Sequence, residues 1–377
     1  MVSQQVQQDL IALQVVQPLV HLYVQPSSPL PVQLPRGRIH LGLPTSAAQR
    51  IIVRVTAVNP AAEALLAGIP ALAPYARKAT LLRPRAGEPS PHSSHVGGPL
   101  LWPADQEWPR CRGPHMVEVR EKLSDADRET LERIDRDARA RRASRADGVY
   151  EVIREQSHIR SRIMDGATVL DRVTWERIRL VPVPSDPGVP LIGVLQLLKQ
   201  DVPTADWPEA MDVLQVLWCP QEHSELPGQR HYWGPAVEMH YRSASSLAVA
   251  QDVPRPVDAV ASYVPRPCLL DPVEATDLPE KDELPEDLFG EAEAWADEHG
   301  IDYHRGLACL KGWKAGGWPS WHLTDLVPIY CGCGARARLF LTIDSGRDPD
   351  LNVGRFGELR IFTCPVNASH PIRLNLQ

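Results

Sequence analysis

A chain of 377 residues that is 43% apolar can bury one large core or two to three ordinary ones. Its net charge of −7 lacks the basic balance of a nucleic-acid binder. It contains no apolar run of about 18 residues, which excludes a membrane-spanning helix.

Residues 1–90 read as a β-rich N-terminal region. The first 35 residues carry one charge, Asp9, and Met1–Val20 lacks the Lys or Arg of a secretory n-region. Arg38–Leu43 and Arg50–Thr56 alternate like strands. Ala61–Ala76 is Ala- and Leu-rich, a helix broken at Pro70, and Arg83–Ser94 has linker composition. The 37 prolines are spread along the chain, which favours many short elements joined by fixed turns.

A second body spans residues 94–377. It opens on Gly97-Gly98-Pro99 with Trp102-Pro103. A charged helical insert over about 116–148 follows, N-capped by Ser124 and striped by Leu131 and Ile134. Thr174–Pro184, Leu191–Leu198 and Met211–Cys219 read as strands. Residues 252–285 read as an acidic linker, and Asp271–His299 holds twelve acidic residues against one lysine. Glu286–Glu298 has the spacing of an amphipathic helix, with Gly300 to end it. Gly316-Gly317-Trp318-Pro319 echoes the first Gly-Gly loop, and the strands Ala337–Ile343 and Gly357–Thr363 close the chain. Each half thus runs Gly-Gly loop, intervening segment, apolar strand. The expected fold is α+β, sheet-rich and mostly antiparallel, with a duplicated Gly-Gly/strand unit.

These segments, in this order, resemble the YwqG-like proteins, a bacterial family. The resemblance rests on the two Gly-Gly loops, Trp102-Pro103 and Trp108-Pro109, the strand carrying Gln196, Asp201-Val202-Pro203, and the Cys-Gly segment leading to Leu339–Asp344. It implies a mixed, sheet-rich fold over residues 94–377 and brings no settled activity with it. It does not explain the charged insert or residues 1–90.

Cys331-Gly332-Cys333, with Cys364 and His370, has the composition of a closed structural zinc site: thiolates and an imidazole in tetrahedral array. If the last two strands pair, Cys333 and Cys364 fall at one end. The competing reading is buried thiols without metal. Of the seven cysteines, four are scattered (Cys111, Cys219, Cys268 and Cys309); they make no dense disulfide framework and fit a reducing, cytoplasmic setting.

Trp102, Trp108, Trp318 and Trp321 either line a groove for a protein partner or staple their loops to the core. His92 and His95 read as solvated. The Gly-Gly loops lack the Lys-Ser/Thr ending of a phosphate cradle and read as structural turns. The arginines at 139, 141, 142 and 145 are interleaved with acids and read as a solvated face. Cys111 and His115 are neighbours in sequence, but a Cys–His pair is defined only in space. No catalytic motif is present and no catalytic residue is assigned. The composite expectation is a non-enzymatic, protein-binding accessory protein of the bacterial cytosol with a structural zinc. The rivals are a hydrolase using His95 or His115 as base near the Gly-Gly loops, and a small-ligand or nucleotide sensor.

Overall fold

The computed structural model describes residues 59–377 apart from 145–148, 168, 225 and 230–231. The expected strands at 38–43 and 50–56, and Arg145, lie outside the described residues.

Two six-stranded sheets dominate. The first runs, in spatial order, Val237–Arg242, Val213–Trp218, Ile192–Leu198, His95–Val96, Cys268–Leu269 and Arg85–Ala86. The second runs Arg373–Leu376, Glu358–Thr363, Arg338–Asp344, Lys314–Gly316, Arg77–Leu81 and Val273–Asp277. Their strand pairings are antiparallel. Both are built on one plan: a short strand entering a Gly-Gly turn, then a three-stranded meander. Even the irregularities match. The first meander bulges between Gly193 and Leu195, the second between Leu339 and Leu341. Such extra residues are specific devices of a strand pair, so a shared position argues for one repeated unit.

The sheets share one core. Leu195, Leu197, Leu214, Val216 and Trp218 of the first join Leu341, Ile343, Leu359 and Ile361 of the second in a single buried cluster. At roughly 1.5–3 kcal/mol per buried large aliphatic side chain, this cluster dominates the stability of the body. The alternate residues point outward. Leu217 and Cys219 join one smaller cluster, Leu339 and Phe362 another.

Two boundaries differ from the sequence reading. Arg77–Leu81, grouped above with residues 1–90, is an inner strand of the second sheet, between Val273–Asp277 and Lys314–Gly316. Residues 252–285 are not simply a linker, because Val273–Asp277 is a strand and its Asp277 is fully buried. Asp277 Oδ2 accepts from Lys314 Nζ and from the Trp318 N–H, both at 2.8 Å. Acidic composition concealed a core ion pair. The same carboxylate fixes the second Gly-Gly turn. Gly316 and Gly317 have φ of 74° and 77°, and a Cβ on Gly317 would collide with Asp277 Oδ2. The loop donor that could have met a phosphate is therefore already occupied.

The charged insert is an arm. Strands His115–Lys122 and Glu176–Val183 form its stem, and helices Asp125–Ser144 and Val149–Met164 its head. Ser124 caps the first helix as expected, its Oγ accepting from the Asp127 N–H at 3.1 Å. The second helix was not foreseen. The arm has its own small core of Leu123, Leu131 and Ile163. The Glu286–Glu298 helix forms as expected and packs Leu288 and Ala292 with Ala62 and Leu65 of the Pro60–Gly68 helix. No described helix is long and apolar enough to cross a membrane.

Candidate metal centre

The strands Arg338–Asp344 and Glu358–Thr363 pair as a hairpin, with Arg338 opposite Thr363. Cys364 therefore leaves the sheet where Cys331 and Cys333 approach it. Gly334, at φ 86°, turns the intervening chain, and its N–H donates to Cys331 O at 2.9 Å. After Cys364, Asn367 Oδ1 accepts from the Ser369 N–H at 2.9 Å, and the His370 N–H donates to Asn367 O at 3.1 Å. This local turn brings the imidazole back.

The ligand atoms of Cys331, Cys333, Cys364 and His370 all lie within 4.8 Å of one another. Cys331 Sγ is 3.4 Å from His370 Nδ1, and Cys333 Sγ is 3.6 Å from Cys364 Sγ. A tetrahedral zinc with Zn–S near 2.3 Å and Zn–N near 2.0 Å separates two sulfurs by ~3.8 Å and a sulfur from a nitrogen by ~3.5 Å. The spacing fits that geometry, and it is far too long for a disulfide of about 2.05 Å. Cys331 and Cys364 are buried, Cys333 is exposed, and all three are free thiols. Burial pushes the Cys364 thiol up, but the N–H groups of Asn367 and Val366, with His370 and Cys333, outweigh it and hold the group near 6. A thiolate ready to ligate is the consequence. The cluster could hold a metal ion, and four protein ligands leave no open position for a substrate.

A second cluster was missed by sequence reasoning. Cys111, His115, Cys219 and His223 also place their ligand atoms within 4.8 Å of one another. Cys219 Sγ lies 3.3 Å from His115 Nε2, and Cys111 Sγ lies 3.7 Å from His223 Nε2. The His115 and His223 rings meet nearly edge to face, 4.9 Å between centroids. His115 Nδ1 contacts Ser185 Oγ at 2.9 Å, which leaves Nε2 to face the cluster. The Cys219 hydrogen bond draws the Cys111 thiol down to about 3, while the same contact and burial push Cys219 up. One signal was present in sequence: Cys-x-x-x-His occurs twice, at 111–115 and 219–223.

The other expected sites resolve as follows. Trp102, Trp108 and Trp318 are held by their loops, their indole N–H groups donating to Gln106 O, Leu191 O and Tyr75 O. Trp102 and Trp108 pack together at 4.8 Å in the cluster around Leu217, whereas Trp318 and Trp321 line a separate recess beside the second sheet. The four rings do not form one groove. Trp321 also borders a cleft of about 600 Å³ with His304, Asp344 and Glu358. His92 is exposed, as expected, but His95 is fully buried, with Nδ1 2.7 Å from Ser93 O. His115 has both ring nitrogens engaged, Nδ1 with Ser185 and Nε2 with Cys219. His95 is sealed from solvent, and burial lowers its pKa, so neither histidine stands open to a substrate as the hydrolase reading expects.

In that cleft, Asp344 lies directly opposite Glu358 across the sheet. Burial, then the Glu358 charge, raises Asp344 to about 6. The folded state therefore holds a proton that the unfolded chain releases nearer 3.8, so this residue costs stability as pH rises through 4 to 6. Asp344→Asn is expected to raise stability at pH 7 by roughly 1 kcal/mol after solvent screening, and to leave it unchanged below pH 4. Urea midpoints of both proteins across that range check it.

No protein-family model and no curated protein matches this chain.

Proposed function

We propose that the protein is a non-enzymatic accessory protein whose Cys331–Cys333–Cys364–His370 cluster holds a structural zinc. The carrying observation is the tetrad itself, whose sulfur and nitrogen spacings match a closed tetrahedral site. The zinc ties the chain before Arg338 to the chain after Thr363, where the last hairpin opens. Zinc also requires thiols kept reduced, which fits a cytosolic setting. The order of Gly-Gly loops and strands supports affiliation with the YwqG-like family, and we include that in the proposal.

The protein partner is assigned to the arm. His115–Lys122 is the outer strand of its three-stranded sheet, and its Val117 and Val119 are exposed. Beyond Met116, whose N–H donates to Glu222 O, no strand among the described residues pairs with this edge, and such an edge with apolar side chains offers main-chain pairing to an extended peptide. A test joins the two parts. The wild-type protein should carry zinc and capture a partner that a Val117→Lys, Val119→Lys variant loses while retaining the metal. A zinc-free protein would refute the first part. A clean monomer with no partner, or equal capture by both proteins, would refute the second.

A further inference from the structure

We propose that Cys111, His115, Cys219 and His223 take a second divalent ion of the zinc class, and that this ion pins the base of the arm.

The first support is positional. The two clusters occupy the same place in the two copies of the repeated unit. Before the second strand of each unit, the Leu191 N–H donates to Pro109 O at 3.0 Å, and the Ala337 N–H donates to Ile329 O at 2.8 Å. One step outward, Arg110 opposes Pro190, and Tyr330 opposes Arg336. At the next step, Cys111 opposes Val189, and the Cys331 N–H donates to Ala335 O at 2.9 Å. Cys111 and Cys331 are therefore equivalent. At the far end, Trp218 opposes Ile192 as Thr363 opposes Arg338. The next residues, Cys219 and Cys364, are equivalent too. Each is followed by a proline and then by the ligand histidine, His223 or His370.

The second support is chemical. Only one ligand changes between the copies. Gly113 stands where the other unit has Cys333, and His115, two residues on, supplies the fourth donor. Losing a thiolate while gaining an imidazole at the neighbouring turn preserves a closed set of four. A cluster of thiols persisting only as packing would not need that replacement. His115, Cys219 and His223 are buried and Cys111 is partly so, so without an ion two imidazoles and two thiols would be held together largely out of water.

The third support is where the exchanged ligand sits. His115 is the first residue of the arm and opposes Val183, the last residue of the returning strand. Its Nδ1 reaches Ser185, whose N–H donates to Arg112 O at 3.0 Å. Below this point the Met116 N–H donates to Glu222 O, next to His223. The arm's head packs on its own core. An ion on His115 thus holds both stem strands against the first sheet.

The full-length protein tests this by elemental analysis, cobalt titration and hydrogen exchange. The expected result is about two ions per chain. Cys111→Ser should lose one, Cys331→Ser the other. In Cys111→Ser, residues 116–122 and 176–184 should exchange about tenfold faster or more, with strand 358–363 unchanged. If that variant fails to fold, His223→Cys keeps four ligands and adds a thiolate. The cobalt–thiolate charge-transfer absorbance should then rise about 1.2-fold. A wild-type protein with one ion that Cys331→Ser removes and Cys111→Ser leaves would overturn the proposal. So would an unchanged cobalt spectrum in His223→Cys, or two ions with unaltered exchange of the stem in Cys111→Ser. Loss of the C-terminal zinc alone would refute the clasp proposed above and leave this one standing.

Discussion

Stripping the proposed zinc from the purified protein with a strong chelator is expected to lower its melting temperature by about 10 °C or more. Structural zinc contributes free energy to folding directly, with apparent values of about 10–16 kcal/mol in small peptides. Here the sheets retain a large shared core, so the loss should be a fraction of that. About 5 kcal/mol, at roughly 2 °C per kcal/mol for a body of this size, gives the stated shift. The effect should begin at the C-terminal edge. Arg373–Leu376 is the outer strand of its sheet, and the chain reaches it directly from His370. Calorimetry with and without chelator, followed by zinc re-addition, measures both the loss and its reversal. A melting temperature indifferent to chelation would show that the clasp carries no stability.

Asp277→Ala should cost about 3–5 kcal/mol, read as a shift in urea midpoint at unchanged slope. The Lys314 side chain is 2% exposed and that of its Asp277 partner 0%. Removing the carboxylate leaves a buried ammonium whose remaining contact is Trp318 O at 2.7 Å. It also frees the Leu310 and Trp318 N–H groups, which Asp277 accepts at 2.7 and 2.8 Å. The double variant with Lys314→Met should recover part of the loss, because a paired deletion leaves no orphan charge. If Asp277→Ala costs under 1 kcal/mol, the ion pair does not hold the Gly-Gly turn.

Much of the fold was legible because it is local. The Glu286–Glu298 helix, the Ser124 cap and the strand delivering Cys364 follow from periodicity and end signals in short windows. The C-terminal cluster was legible because its hairpin is short. Its ligands lie on two segments joined by one pair of neighbouring strands. The N-terminal cluster was not, since the arm separates Cys111 and His115 from Cys219 and His223. Cys111 thus read as one of four scattered thiols. Asp277 was hidden for a different reason. Composition averages a segment, and a single inward carboxylate among solvated ones carries no distinguishing pattern. The place of Arg77–Leu81 between two distant strands is a purely non-local fact.

The two units differ most in the length of chain between equivalent points. Cys331 reaches Ala335 through a tight turn, while Cys111 reaches Val189 through the whole arm. Both routes end on the same register, so this crossing accepts cargo without disturbing the sheet below. The turn at Gly334 is thus a natural splice port. A foreign folded module with closely spaced termini can be carried there as the arm is carried in the first unit. The proposed metal ligands on either side would then act as a collar that isolates the two sheets from whatever is inserted.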